Sequence, residues 1–513
     1  MHSRDIRVLL ALLVGPFAVA TACGSERQFG SRGAGGAGDA GDSGSSNHAG
    51  KGGSKPAGGS GGANSSDAGD AGTGATSGDA GEAGAAPTAG SGGAGTTGGT
   101  GTTGGTGTTG GSGPIGGTGG APACGVPGAS CCSGNLCGAN AACAAGNTCA
   151  CATNYSACGN SCVNLKTDSN NCGVCGHSCL GGTCDLGSCQ PTTVATAQLR
   201  LTNLATDGTY LYWSGAASSG SPYYVARARV DGSGTLKVLA ANEQSAGALA
   251  VTSDKVFWVA KGQLRSCDIP DCPAGPVNAI ATVTSGGVGG DVLYEPVKKA
   301  LYWSRGATYN TKDGTLYSLA SGATTPTVVG TNPSNPGALV NDASNVYWIN
   351  SSTYTTDSWN ADGGLWRVRT SDGTTTQLVS TLKGDISFLA ISGATLFFAG
   401  NIAIVGSSPL MTTSAILSAP LPNGVAVGAQ PPKFADSKNV RGMEADSKYL
   451  YFADELGSTG NISRCPIASC PTPETIVPGL YSPNLGAQDA VSIYFASSSS
   501  AAVNSYTIQR LAK

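Results

Sequence analysis

The phrase YLYWS, residues 210–214, decides how this chain is read. It returns as KVFWV at 255–259, ALYWS at 300–304 and NVYWI at 345–349, then more loosely as TLFFA at 395–399, YLYFA at 449–453 and SIYFA at 492–496. From Trp213 the same aromatic recurs at Trp258, Trp303, Trp348, Phe398, Phe452 and Phe495, with spacings of 45, 45, 45, 50, 54 and 43 residues. A period in the forties around a short aromatic strand is the mark of a β-propeller, one four-stranded blade per repeat. The expected fold class is all-β, a seven-bladed β-propeller. Six blades plus one divergent flanking repeat is the alternative count.

The rest of each blade can be read outward from the phrase. A small-residue inner segment precedes it (NLATDG, ALAVTS, ALVNDA, FLAISG, GMEADS), and a third strand follows (VARARVDG, LYSLASG, LWRVRTSDG, AILSAPLPNG). A fourth comes last (LKVLA, TPTVVG, TQLVS). The aromatic strands are apolar at consecutive places, as expected of strands buried on both faces. Asp-Gly turns at Asp231, Asp313, Asp362 and Asp372 separate strands. The seventh repeat has only three strands, so its fourth is expected from residues 194–198, paired with the strand around 506–511. That pairing closes the ring and leaves no open edge. Removing residues 191–199 should then lower the melting temperature, whereas removing the linker or the cysteine-rich module should not.

Composition bounds the remainder. Only 12% of the residues are charged and the net charge is −3, which gives no general attraction for nucleic acid. No apolar run reaches the 18 or so residues of a membrane-spanning helix. Of the 19 cysteines, 14 fall between Cys124 and Cys189. Two further pairs, Cys267 with Cys272 and Cys465 with Cys470, are each expected to close a short local disulfide. So dense a set belongs in an oxidising compartment.

Four regions follow in order: a signal peptide (1–22), a linker (23–121), a cysteine-rich disulfide module (122–190) and the propeller (191–513). Arg4 and Arg7 open the first, an apolar stretch follows, and Ala20-Thr21-Ala22 precedes Cys23. This resembles the lipobox of bacterial lipoproteins, with Ala20 where that family usually has Leu. The resemblance implies lipidation of Cys23 and, with Ser25 two places on, delivery to the outer membrane, on its surface or periplasmic face. Plain secretion is the alternative. Between residues 31 and 121 Ile115 is the only sizeable aliphatic, so this segment cannot offset the entropy of ordering and is expected to be a disordered tether. The spacing Cys158, Cys162, Cys172, Cys175, Cys179, Cys184, Cys189, with NNCG at 170–173, resembles the cysteine-rich repeat of the stigma-specific protein family. That implies an extracellular disulfide knot. Cys172-Gly-Val-Cys175 also reads as half a zinc site or a redox pair, but no second pair completes a ligand set.

The phrases LYWS and YLYFAD resemble the YWTD repeats of extracellular six-bladed propellers, with Asp454 at the motif's closing position. Those relatives mostly bind proteins, and more distant propellers hydrolyse small substrates. The three histidines, His2, His48 and His177, all lie outside the propeller, which removes histidine triads and histidine-held metals from it. Asp207, Asp254, Asp342, Asp446 and Asp489 recur near one turn and read as turn chemistry rather than a converging site. No cofactor is expected; calcium near the axis stays open, though no calcium-loop spacing is present. The Trp set at 213, 258, 303 and 348 reads as core. The candidate binding rim is Tyr223, Tyr224, Arg305, Tyr309, Tyr354, Asp357 and Trp359, in loops expected to share one face. The expectation is a monomeric, membrane-anchored, non-enzymatic binding module for a protein or glycan. The alternatives are a carboxylate-based hydrolase or lyase and a passive envelope scaffold.

Overall fold

The computed structural model describes residues 124–513, apart from 198–199, 217–221, 244–245, 261–262, 270–271, 273–278, 283–288, 307–311, 332–335, 354–359, 361, 404–411, 425–430, 458 and 499–504. The signal, Cys23 and the linker lie outside the described residues. All regular structure among the described residues is β.

The repeating phrases are strands, and their consecutive apolar residues are buried on both faces. Trp213, Trp258 and Trp303 are fully buried, as are Phe398, Phe452 and Phe495. Each phrase is the second strand of an antiparallel set. The first set runs Arg200–Thr206, Tyr210–Ala216, Tyr223–Arg229 and Lys237–Glu243, with neighbours in sequence paired. Four more four-stranded sheets follow the same order, and a seven-stranded sheet completes the domain. The third repeat's inner strand, Gly289–Glu295, is one the repeat pattern did not single out.

The seven-stranded sheet arises from one 15-residue strand, Glu474–Gln488. Its first part pairs with Thr459–Pro466, through Ile462↔Val477, and its second with Ser492–Ser498, through Leu485↔Phe495. One strand is thus both the outer strand of the sixth repeat and the inner strand of the seventh. Thr192–Ala197 then pairs with Tyr506–Ala512, Ile508 opposite Ala195, as the closure argument requires.

The inner strands lie side by side in chain order, and that of the seventh repeat returns against that of the first. A Cβ at Gly486 would stand 3.0 Å from the Leu204 Cβ, so glycine is what lets these two strands approach. Polar side chains tie successive sheets together. Ser214 Oγ donates to the Gly247 carbonyl at 2.8 Å, and Ser351 Oγ to that of Ile386 at 2.8 Å. The Leu339 N–H donates to Asp291 Oδ2 at 2.6 Å, and Asp291 is 2% exposed. A β-propeller is the architecture these sheets make.

The cysteine-rich segment divides into two closed sets of bridges. Cys124–Cys132, Cys131–Cys143 and Cys137–Cys149 form the first. Cys151–Cys162, Cys158–Cys175, Cys172–Cys184 and Cys179–Cys189 form the second. Cys151, which sequence proximity groups with the first part, belongs to the second. Cys172 and Cys175 are both bridged elsewhere, so neither the zinc nor the redox reading of that pair survives.

The second set is not a separate bead. Cys172, Cys179, Cys184 and Cys189 share one buried cluster with Tyr451, Ile462, Ile493, Phe495 and Leu511 of the last two repeats. Arg510 donates to the Leu180 carbonyl. The expectation that deleting the cysteine-rich module leaves the propeller untouched therefore does not hold for residues 151–190, whose removal would bare apolar core. The two propeller pairs are bridged as Cys267–Cys272 and Cys465–Cys470, with Cys267 and Cys465 3% and 0% exposed.

Candidate functional site

Two ends of the strands and the axis between them could carry chemistry. At one end lie the turns after the inner strands, where sequence places the recurring aspartates. Oδ1 of Asp207 accepts from the N–H groups of Thr209 and Tyr210 at 2.8 and 2.7 Å. Asp342, Asp446 and Asp489 bind their own turns the same way. The second oxygen takes a phenol five residues on. Tyr212 donates to Asp207 at 2.9 Å, Tyr347 to Asp342 at 2.6 Å and Tyr494 to Asp489 at 2.6 Å, while Tyr451 faces Asp446. Burial, then the adjacent carboxylate, pushes these four phenols well above their ordinary range.

Directly across the sheet from each of these tyrosines stands an arginine: Arg227, Arg367, Arg464 and Arg510. In the other three repeats the same position opposite Phe257, Tyr302 and Phe397 is Ser266, Ser318 and Ser418. Asp254 departs from the pattern: it accepts from Thr252 Oγ1 at 2.8 Å, and the aromatic strand offers it no phenol. The aspartates are thus each taken up by their own turns, Asp446 lying also 3.2 Å from Lys513 of the seventh repeat, and do not converge, as turn chemistry predicts. The Asp-to-Tyr spacing of five was legible in DGTYLY, DASNVY, DSKYLY and DAVSIY; the arginine could be found only by pairing strands.

On the inner strands, Asn203, Ala248, Asp291, Phe388, Gly442 and Asn484 each stand one place before the residue paired with the repeat's Trp or Phe. Phe388 is the one large side chain in this set. With Met443, Asn203 and Asn484 it lines a cavity of about 10 Å³, where the inner strands of the first, fifth, sixth and seventh repeats meet. That is about the room one water occupies.

The opposite end holds the candidate rim, of which three members are described. Tyr223 is half-buried against the second repeat's cluster. Tyr224 is 8% exposed in the core, and burial pushes its phenol up to about 12, so it drops out of the rim. Arg305 is half-buried and donates to the Asp313 carbonyl and, at 3.4 Å, to Thr315 Oγ1. Tyr309, Tyr354, Asp357 and Trp359 lie outside the described residues.

Polar groups that sequence reading missed also gather at this end. Arg265 donates to Glu243 Oε1 at 3.0 Å and to Gln263 Oε1 at 2.9 Å. Burial pushes the Glu243 carboxyl up, with Arg265 opposing. Glu455 accepts from Arg441 Nε at 2.8 Å, Asn439 Nδ2 at 3.3 Å and Ser482 Oγ at 3.2 Å. Its neighbour Asp454 is pushed up by burial, against hydrogen bonds from Asn461. Burial raises Asp362 too, but Thr353 and Lys312 more than reverse it and hold it low. No sequence motif marks these groups, because their partners come from different strands.

No family profile matches the chain, and no characterised protein matches it in sequence. Among similar solved structures is an oligogalacturonate lyase in complex with manganese, 13% identical, with a TM-score of 0.41 over 63% of this chain and 95% of that one. Another is the β-propeller domain of the Trilobed protease from Pyrococcus furiosus, 9% identical, with a TM-score of 0.40 over 58% and 90%. A third is from a nidogen/laminin complex, 12% identical, with a TM-score of 0.33 over 53% and 90%. Likeness this distant says nothing of chemistry.

Proposed function

We propose that this chain is an exported bacterial lipoprotein that displays a seven-bladed β-propeller at the outer membrane as a non-enzymatic binding module for a protein or glycan. The blade count rests on dividing the strand Glu474–Gln488 between two blades, which turns the seven-stranded sheet into two of the ordinary kind. Anchoring rests on parity. Nine disulfides use eighteen of the nineteen cysteines, and Cys23 is the one left for a lipid.

The observation that carries the binding reading is the way the turn aspartates are used. Among the described residues, the recurring carboxylates are taken up by the N–H groups of their own turns and do not converge on one point. Recognition then falls to the loop end, where Tyr223, Arg305 and the Glu243–Arg265 pair stand.

Three experiments test this. Cys23→Ser should release the protein from the membrane fraction, and unchanged detergent-dependent association would rule lipidation out. Binding of the purified protein to arrayed envelope glycans and proteins should weaken about tenfold in Arg305→Ala, with the melting temperature unmoved. Turnover of a glycoside substrate that Asp454→Asn abolishes would replace the binding reading with the enzymatic one.

A further inference from the structure

We infer that residues 172–190 form a disulfide-dependent latch on closure of the propeller ring, so that the ring becomes secure only once Cys179–Cys189 has formed. The inference rests on the exported reading only for the source of oxidant. The rest follows from the contacts around Arg510.

Closure joins strands that lie at opposite ends of the domain. Thr192 and Arg510, which face each other in the ladder, are 318 residues apart, and bringing remote strands together carries a loop-closure cost that local hairpins escape. Arg510 is held three ways. Its backbone pairs with Thr192, its carbonyl accepts from Thr192 Oγ1 at 3.5 Å, and its guanidinium donates to the Leu180 carbonyl. In the fourth repeat the corresponding Arg367 donates to the Pro422 carbonyl in the fifth, at 3.2 Å. The Leu180 turn therefore does for the closing junction what the fifth repeat's loop does for the fourth.

That turn keeps its shape through Cys179–Cys189. Leu180 and Gly181 have φ of 53° and 96°, and the Gly182 N–H donates to the Cys179 carbonyl at 2.9 Å. The returning arm binds through the Gln190 N–H to the Thr183 carbonyl at 2.8 Å. The two arms press so closely that a Cβ at Gly182 would lie 2.3 Å from the Gln190 carbonyl oxygen. Cys189 stands three residues ahead of Thr192, so the bridge anchors the closure strand itself. Both sulfurs are buried with Leu511 and Ile493, where free thiols would gain no partner to hold the arms together.

Forming the bridge needs an oxidant, a disulfide of the export compartment. Its S–S bond breaks as one forms between Cys179 and Cys189, and it leaves as two thiols carrying the two protons. Cys267–Cys272 and Cys465–Cys470 each lie within one repeat and outside this cluster, which makes them internal controls.

Hydrogen exchange of the full-length protein, without any ligand, tests the latch. In Cys179→Ser/Cys189→Ser, amides of Thr192–Ala197 and Tyr506–Ala512 should exchange faster by about tenfold or more, with Thr315–Ala320 unchanged. Arg510→Met should act in the same direction with every bridge intact, and Cys267→Ser/Cys272→Ser should leave the closure strands as they were. Should the double serine variant not fold, the same exchange on native protein after brief dithiothreitol treatment decides. Closure strands as protected as in the oxidised protein, or lost only together with Thr315–Ala320, would overturn the inference. A propeller with no ligand at all would give the same exchange result, so failure of the binding reading leaves this test intact.

Discussion

The first, fourth, sixth and seventh repeats differ from the second, third and fifth at one point of a shared fold. The former set an aspartate, a tyrosine and an arginine together at the turn after the inner strand. The latter put serine across from the aromatic and fill the space otherwise. In the second repeat Cys267 and Cys272 share a buried cluster with Tyr210 and Tyr212 of the first. In the third, Glu295 caps the turn through the N–H groups of Val297 and Lys298 at 2.8 and 2.7 Å. In the fifth, Phe397 meets Phe434 edge-on at 4.7 Å.

The position thus accepts a satisfied polar network, an apolar contact or, in the third repeat, the buried phenol of Tyr302 in the field of Glu295. A phenol without its carboxylate would leave a buried hydroxyl unpaired, and a carboxylate without its phenol would lose one of its donors. The repeats are therefore not interchangeable, which helps each blade find its own neighbour. The polar version also brings stacking where the phrase begins with tyrosine: Arg227 lies 4.2 Å from the Tyr210 ring centre and Arg464 lies 4.7 Å from that of Tyr449.

The largest expected effect lies at closure, where the polar set of the seventh repeat meets the cysteine-rich segment. Deleting residues 191–199 removes the strand paired with Tyr506–Ala512 and should lower the melting temperature by about 10 °C or more. Deleting the same length of linker should leave it unchanged, and calorimetry on both truncations would show it. A closure deletion that melts like the native protein would mean that the long strand Glu474–Gln488 alone secures the last repeats.

Reciprocal swaps probe the comparison itself. Tyr347→Phe strips the donor from Asp342 and should cost about 1–2 kcal/mol in denaturant melts. Phe397→Tyr places a hydroxyl in a fully buried site opposite Ser418 and should cost about 1–3 kcal/mol. If the second swap were neutral, the two classes would be interchangeable and the comparison would collapse. Arg367→Ser, which gives the fourth repeat the fifth's residue, should cost less, about 0.5–1.5 kcal/mol, since one hydrogen bond to the Pro422 carbonyl is lost.

Much of this was legible before any strand was paired. The aromatic period located the second strand of every repeat, and the missing fourth strand of the last one pointed to residues near 194. What stayed hidden has physical causes. The third repeat's inner strand, GGDVLYE, lacks the Ala-rich look of the others because Asp291 is buried there on a neighbour's N–H. The shared strand Glu474–Gln488 contains Pro478, Gly479 and Pro483, which read as breaks, yet Gly479 at φ 73° and Ser482 at φ 41° bend the strand without ending it. The docked half of the cysteine segment was hidden because cysteines read as a self-sufficient knot, and nothing in their spacing says which sulfurs face a second domain. At the candidate site, Tyr224 misled because strand ends alternate: Tyr223 and Tyr224 are adjacent, and only one can face outward.

The smallest effect is a dependence on pH. Burial pushes the Asp342 carboxyl up, but the hydrogen bonds from Tyr347, Ser344 and Asn345 together outweigh it and hold the group below its ordinary value. Asp446 is lowered likewise, with its turn N–H groups and Lys513 outweighing burial. A carboxyl depressed in the folded state adds stability that is present above its unfolded pKa of about 3.9 and is lost as pH falls through the folded value. The fourth and sixth repeats should therefore lose this contribution in acid. Glu243 runs the other way. Its folded pKa is raised, so its ionisation opposes folding, and protonation relieves that as pH falls. Tyr347→Phe should accordingly move the acid-unfolding midpoint up by a few tenths of a pH unit, whereas Glu243→Gln should leave it in place or lower it. Circular dichroism across pH 2–6 would read both. A Tyr347→Phe midpoint identical to the native one would mean that the turn N–H groups alone hold Asp342 down, and that the phenol is only a passenger in the network.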